Sequence, residues 1–287
     1  MKLKLDLTRT VVYTPESSLR YPIKLVNEMF RDLKVSRRLA WRLIVRDITA
    51  QYRQTALGYL WAILPPALTA MLWIFLNYSQ IIVIKNIDVP YPVYALTGTI
   101  FWQLFLDALN APLSQFINNR AMLSKVNFPK EALLLSGMAQ VLFSFFIKLL
   151  ALAAMLLIFL VPVHWTAVFI FFPISGLLIM GTLIGTLLVP IGVLYRDVQH
   201  VVGLMAGPLI FLTPVIYPQP TEGLLAAIMR LNPLTPLFIT TRDLLYRGIP
   251  QVIEWSVIVW IITFLLSFVG WVVYRVAQPI LIERMEA

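Results

Sequence analysis

The chain has 287 residues, 60% of them hydrophobic and only 13% charged, with 23 Lys and Arg against 14 Asp and Glu for a net charge of +9. Ordinary soluble domains are roughly 45–50% apolar, so this composition, with a mean hydropathy of +0.82, excludes a water-soluble fold and reads as an all-α membrane protein. The chain has no cysteine, which excludes disulfides, thiolate nucleophiles and zinc–cysteine sites.

The first twenty residues, MKLKLDLTRTVVYTPESSLR, lack the apolar core and small-residue cleavage site of a secretory signal. Residues 1–36 are therefore expected as a cytoplasmic N-terminal segment. In RRLAWRLIVRDITAQYRQ, residues 37–54, Trp41, Ile44, Val45, Ile48 and Tyr52 recur at helical spacing, with Arg42, Arg46 and Arg53 largely on other faces. This spacing predicts an amphipathic helix over 37–56, lying in the membrane interface with its aromatic residues at headgroup depth. A packed soluble helix is the alternative.

A helical span takes about 20 apolar residues. Stretches of that kind recur at 57–84, 93–117, 133–161, 166–194, 201–217 and 253–277, predicting six spans in a transmembrane domain over 57–277 and a cytoplasmic tail over 278–287. The fifth is the shortest. Between spans 2 and 3, NNRAMLSKVNFPKE (118–131) places Pro129 where the next helix begins; the segment is either a connector or a docking element. Between spans 5 and 6, residues 218–252 hold two apolar bursts broken by NPLTP. Each burst is too short to cross, so two short re-entrant helices are expected, either a lid over an exit or a structural cap.

Gly181 with Gly185, and Gly203 with Gly207, form two G-x-x-x-G spacings, which suit close helix packing within the chain or between copies. No repeat of the first three spans in the last three is visible, which counts against an inverted-repeat transporter. Sorting Lys and Arg by alternating loops puts 18 on one side and four, Lys85, Arg230, Arg242 and Arg247, on the other. By the positive-inside rule both termini are cytoplasmic. The basic residues flank spans, where topology and anionic membrane lipid account for them, so no nucleic-acid partner is expected.

Catalytic signatures are scarce. No G-x-x-x-x-G-K-[ST] and no G-x-S-x-G occur, and His164 and His200 fall on opposite sides of the predicted membrane, so neither an ATP site, a nucleophile elbow nor a metal site is expected. Two charges lie inside spans: Asp107 and Lys148, at matched depth on adjacent antiparallel helices. An isolated charge there is expensive, so they are expected to pair or to share a polar network with Asn110; a proton relay is the alternative. Aromatic residues, including Trp61, Phe75 and Tyr78 in span 1 and Trp102 and Phe105 in span 2, are either packing and interfacial anchors or a surface for sugar rings.

The run RLIVRDITAQYRQTALGYLWAILPPAL, residues 42–68, resembles the segment leading into the first span of permease subunits of ABC transporters that export lipid-linked polysaccharides. LYRDVQHVV (194–202) and NPLTPLF (232–238) resemble later segments of that family, in matching order. The resemblance implies a homodimer joined to two separate ATP-binding cassette subunits, which hold the ATP and Mg, with no cofactor bound by this chain. It implies that the partner docks on the N-terminal helix and the loop after span 2, with Arg42, Arg46, Asp47, Arg53, Arg120 and Lys125 as docking residues; the turn between spans 4 and 5, with Arg196 and Asp197, is read as facing the partner too, with a capped, oriented hairpin as the alternative. It also implies that 218–252 is an exit gate, and that Trp61, Phe75, Tyr78, Trp102 and Phe105 face an undecaprenyl-phosphate-type lipid-linked glycan in a channel across the bacterial cytoplasmic (inner) membrane. Within YRDVQH, Asp197 suits the cap of the fifth span and neutralises Arg196. Two rivals share parts of this pattern. One is an ABC permease exporting a small lipid or drug; the other is a membrane-embedded glycan or lipid enzyme, which would need clustered acid, base or metal-binding residues at one membrane face.

Overall fold

The computed structural model describes residues 22–286 apart from 54, 82–83, 85–86, 124, 127 and 196, with only the backbone described at 22, 52 and 279–286. Expectations for residues 1–21, for Arg196 and for the side chains of the C-terminal tail lie outside the described residues. Among these residues all regular structure is helical. In chain order the helices are α1 (Pro22–Tyr52), α2 (Leu60–Tyr78), α3 (Tyr91–Asn118), the single turn α4 (Arg120–Leu123), α5 (Glu131–Ile158), α6 (Phe171–Leu194), α7 (Asp197–Phe211), α8 (Leu224–Leu231), α9 (Leu234–Arg242) and α10 (Ile253–Glu286). A 3₁₀ turn, Trp165–Ile170, leads into α6, and a π turn, Asp243–Arg247, ends α9.

Among the described residues four helices are long and apolar enough to cross a bilayer: α2, α5, the 3₁₀ turn continued by α6, and α10 over Ile253–Gln278. A fifth is added if α8 and the α9 segment form one broken span. The chain is a multi-pass membrane protein. Helix α3 has the length to cross, 28 residues at about 1.5 Å per residue, but carries Gln103, Asp107, Asn110 and Gln115. Its polarity fits its position, because α3 packs against α2, α5 and α6 and buries most of its surface. Helix α6 in turn lies between α3 and α10.

Glycine sets the closest of these approaches. A Cβ at Gly185 would lie 2.1 Å from the Leu109 carbonyl oxygen, and one at Gly181 would lie 2.6 Å from that of Phe105, so α6 and α3 meet backbone to backbone. Gly203 and Gly207 on α7 meet nothing within 4 Å. The two G-x-x-x-G spacings therefore differ: one is used within the protomer, and the other faces outward.

Helix α1 begins well before residue 37, where the sequence pattern places its start. The reason is a second apolar stripe. Leu25, Met29, Ala40 and Leu43 are buried with Ser36, and α1 packs along α5 while Phe30 meets Trp271 of α10 edge-on at 5.6 Å. Trp41 and Val45, which led the sequence reading, lie instead on the exposed face. Helix α1 is thus both packed on the bundle and apolar on its outer side, with Arg42 and Arg46 exposed.

At the end of the bundle far from α1, α8 and α9 bend by 91° at Asn232 and Pro233. Asn232 holds the bend: its side-chain oxygen accepts from Leu234 N–H at 2.9 Å, and its amide donates to the Leu212 carbonyl and to Thr213 Oγ1, both at 2.8 Å. Gly248 closes the π turn with φ +82°, and the His164 ring fills the space where a side chain at 248 would stand, with Cε1 2.3 Å from a Cβ there. His164 N–H also donates to the Leu245 carbonyl at 3.0 Å. The turn before α6 is therefore fastened to the bent pair.

Candidate functional site

Three polar clusters lie along α3, one near each end and one between. At the α1 end, Asp47 reaches inward to a junction of three helices. One carboxylate oxygen accepts from Arg46 Nε at 2.7 Å; the other accepts from Gln115 of α3 and Ser136 of α5, each at 3.3 Å. Arg46 donates through Nη2 to Asn119 Oδ1 at 2.7 Å. Asn119 donates to the Gln115 carbonyl and to its side-chain oxygen at 2.9 and 3.0 Å, and Gln115 donates to Gln140 of α5 at 2.9 Å. The Arg46–Asp47 step along α1 is thus joined to the first residue after α3.

Beside this junction, Arg275 of α10 donates to Glu131 at 2.6 Å and to Asp32 of α1 at 2.5 Å. Glu131 is almost fully buried at the first turn of α5, where a carboxylate also suits the helix dipole. Burial pushes the neighbouring Lys130 ammonium below its ordinary value, while Glu131 acts to raise it. A buried charge is tolerable only when paired in this way.

Between the two ends, Lys148 Nζ lies 2.6 Å from Asp107 Oδ2. Gln103, one turn before Asp107, donates to its other oxygen at 2.8 Å. Asn110 stays outside this pair and donates to the Leu106 carbonyl of its own helix at 2.9 Å. The Lys148 side chain is 4% exposed and that of Asp107 30%, so the two ends of the pair differ in what their loss would leave behind.

At the far end, Arg242 is buried among Tyr94 and the chain after α7. Its Nη1 donates to Tyr94 Oη at 2.8 Å and to the Pro214 carbonyl, its Nη2 donates to the Val215 carbonyl, and its Cζ sits 3.8 Å above the Tyr94 ring. The Val215 carbonyl and the guanidinium fit there because residue 98 is glycine: a Cβ would lie 1.8 Å from Val215 O. Tyr246 and Thr97 share a hydrogen bond between their hydroxyls, and Arg247 pairs with Asp88 before α3 and with Asp243. Sequence reasoning counted Arg242 as an ordinary loop charge. Its place between the apolar runs of LFITTRDLL was the available signal, and Tyr94 and Gly98 carried none.

The other predicted site residues divide. Arg42, Arg46, Arg53, Arg120, Lys125 and Asp197 are exposed at the α1 end, with Asp197 in the first turn of α7; Asp47 is turned inward and half-buried. Trp61, Phe75 and Tyr78 lie exposed on α2. Trp102 and Phe105 do not: both are in the core, 5.6 Å apart by ring centroids, with Trp102 also against Phe238 of α9. Both are buried within the protomer because α3 is its central helix. His164 and His200 stand apart, the first capping the 3₁₀ turn and the second exposed on α7.

The pair between α3 and α5 predicts an asymmetric outcome. Asp107→Ala strands a buried ammonium and costs about 3–5 kcal/mol, whereas Lys148→Ala costs less because the partly exposed carboxylate can still be reached by water. The double variant costs less than the sum. Unfolding of the three variants in detergent measures this, and strictly additive losses would contradict the contact.

The profile of the family described as ABC-2 type transporter matches residues 38–246. The chain is 30% identical over 231 residues to the O-antigen export system permease protein RfbA of Myxococcus xanthus, covering 78% of this chain and 85% of that one. It is 24% identical to an O-antigen export system permease protein RfbA of Klebsiella pneumoniae over 80% of this chain and 88% of that one, and 26% identical to another from Klebsiella pneumoniae over 71% and 78%. With a helical multi-pass architecture and a match that runs from within α1 into the π turn, this chain belongs to the ABC-2 type transporter family.

Proposed function

We propose that this chain is the transmembrane subunit of an ATP-driven exporter that moves a lipid-linked polysaccharide, of O-antigen, capsule or teichoic-acid type, across the cytoplasmic membrane. The observation that carries the reading is the likeness to the Myxococcus xanthus O-antigen export permease over 85% of that protein's length. ATP and Mg belong to two copies of a separate ATP-binding subunit, and this chain catalyses no reaction of its own. The six crossings are α2, α3, α5, α6, α7 with the residues after it, and α10, with both termini in the cytoplasm; α8 and α9 form a re-entrant pair on the outer side.

Two features support a mechanical division of labour. Helix α1 with the residue after it, and α4 with the turn after it, present Arg42, Arg53, Arg120 and Lys125 at one end, where a partner docks. The Asp47 junction ties that docking surface to α3 and α5, so a push on α1 reaches the span that carries the Asp107–Lys148 pair and the Arg242 cluster. A second copy packs against α7, whose Val201, Leu204 and Met205 are exposed beside Gly203 and Gly207; small residues allow such helices to approach closely. Trp61, Phe75 and Tyr78 on α2 then border the path of the glycan.

Depletion of the chain in its native cell, with the ATP-binding partner held constant, tests the cargo. Side-selective labelling is expected to find lipid-linked glycan accumulating inside and lost outside; unchanged surface glycan would remove the assignment. The dimer is read separately. Because the chain has no native cysteine, Leu204→Cys is expected to form an oxidative cross-link between two copies in the membrane, while Leu157→Cys, on the exposed side of α5, is expected to stay uncoupled. Equal cross-linking of both, or of neither, would contradict an α7 interface.

A further inference from the structure

Helix α1 crosses one end of the bundle, meeting α10 through Phe30 and Asp32 and then α3 and α5 through Asp47. Its outer side carries two separate rows. Lys24, Arg31 and Arg38 recur every seven residues and are all exposed; a straight helix drifts about 20° per heptad, so the three stay within an arc of about 40°. Ile23 and Phe30, each one residue before a cation, form a second exposed row about 100° further round.

The cationic row is short of acid. Helix α1 has seven Lys and Arg against three acids. Of those acids, Asp32 is held by Arg275 and Asp47 is turned inward, which leaves Glu28 beside the row. Lys24 and Arg38 make no hydrogen bond or ion pair among the described residues. Arg31 lies 3.8 Å from the carboxylate that Arg275 already holds, and its side chain is 64% exposed.

The apolar row is placed by its neighbour. Phe30 meets Trp271 edge-on at 5.6 Å, and Trp271 stands seven residues before Gln278, where the apolar stretch of α10 ends. At 1.5 Å per residue that is about 10 Å inside the stretch. Trp271 in turn meets Phe268, exposed on α10, at 6.4 Å. The outer side of α1 is therefore continuous with the lipid-facing side of a span.

Together the rows select an occupant. A soluble acidic partner matches the cations but not an apolar row joined to a membrane-spanning surface. A bilayer supplies both: acyl chains beside Ile23 and Phe30, and headgroup phosphates where Lys and Arg reach with their stems laid along apolar surface. We propose that the N-terminal half of α1 is a binding surface for anionic phospholipid of the leaflet at its end of the bundle, with phosphatidylglycerol-type phosphodiesters held along Lys24, Arg31 and Arg38. Lipid on the outer side and Arg275 on the inner side then hold this half of α1 in place, and Arg42, Arg53, Arg120 and Lys125 are left for the ATP-binding partner. The surface depends on the spans and not on the cargo.

Native mass spectrometry of the full chain, released from detergent containing equal amounts of phosphatidylglycerol and phosphatidylethanolamine, tests it. The native chain is expected to retain phosphatidylglycerol in excess. One cation near an anionic surface contributes about fivefold, so Lys24→Gln/Arg31→Gln/Arg38→Gln, which alters only exposed side chains, is expected to lower that excess by about tenfold or more. Arg53→Gln/Arg120→Gln/Lys125→Gln, with the same change of charge at the same end, is expected to keep it. No excess in the native chain, or equal loss in both variants, would overturn the surface. Loss of the ATP-binding partner from the first variant with lipid retention unchanged would make the row a protein-docking site, and preferential retention of an added polyprenyl phosphate would make it a site for the glycan's carrier; either overturns the proposal. Unchanged surface glycan on depletion of the chain would remove the export reading and leave this surface standing.

Discussion

Polar groups that enter a bilayer must find their partners within the protein, and in this chain α3 carries most of that requirement. It is less apolar than its neighbours, and it is central for that reason. Asp107 meets Lys148 of α5 midway along it, Tyr94 and Thr97 meet the π-turn segment at one end, and Gln115 and Asn119 meet α1 at the other. Each contact joins α3 to a different element. Loosening any one would leave a buried charge or amide without a partner, so the clusters fix the placement of α1, α5 and the bent pair relative to one helix.

Close packing makes those contacts reachable. Gly181 and Gly185 bring the α6 backbone against α3, while Gly98 admits the Val215 carbonyl and the Arg242 guanidinium beside the α3 axis. Where the protomer has no such use for small residues, as at Gly203 and Gly207, the helix is left exposed along with Leu204 and Met205. The exposed face of α7 and the satisfied interior of α3 are two results of the same composition. Under the proposed assembly, the first is where copies meet and the second is what each copy holds rigid.

Much of this was legible in the sequence because hydropathy reports directly on bilayer contact. The boundaries of α3, α5, α6 and the start of α10 fall close to the apolar stretches at 93–117, 133–161, 166–194 and 253–277, and the break at NPLTP coincides with the bend at Asn232. Asp107 and Lys148 stood out because charge is rare in such runs. Burial within the protein was harder to read. Trp102 and Trp61 are the same residue type in similar apolar surroundings, yet one is core and the other exposed, since sequence does not show which helix becomes central. For the same reason the early start of α1 was hidden: Leu25, Met29 and Leu43 are buried on a helix that packs along α5, a tertiary fact with no local mark. Arg242 and Gly98 are meaningful only as a pair separated by much of the chain.

The proposed mechanism depends on α1 and α3 moving as one body, with the Arg46–Asp47–Asn119 junction as the joint. The most direct measurement is of ATP turnover and glycan movement together, in proteoliposomes holding this chain with its ATP-binding partner, for the native protein and for Asp47→Asn combined with Asn119→Ala. If the junction transmits motion, the variant hydrolyses ATP near the native rate and moves little glycan. If ATP turnover and glycan movement fall in proportion, or if neither changes, the junction is a packing contact and the force takes another route.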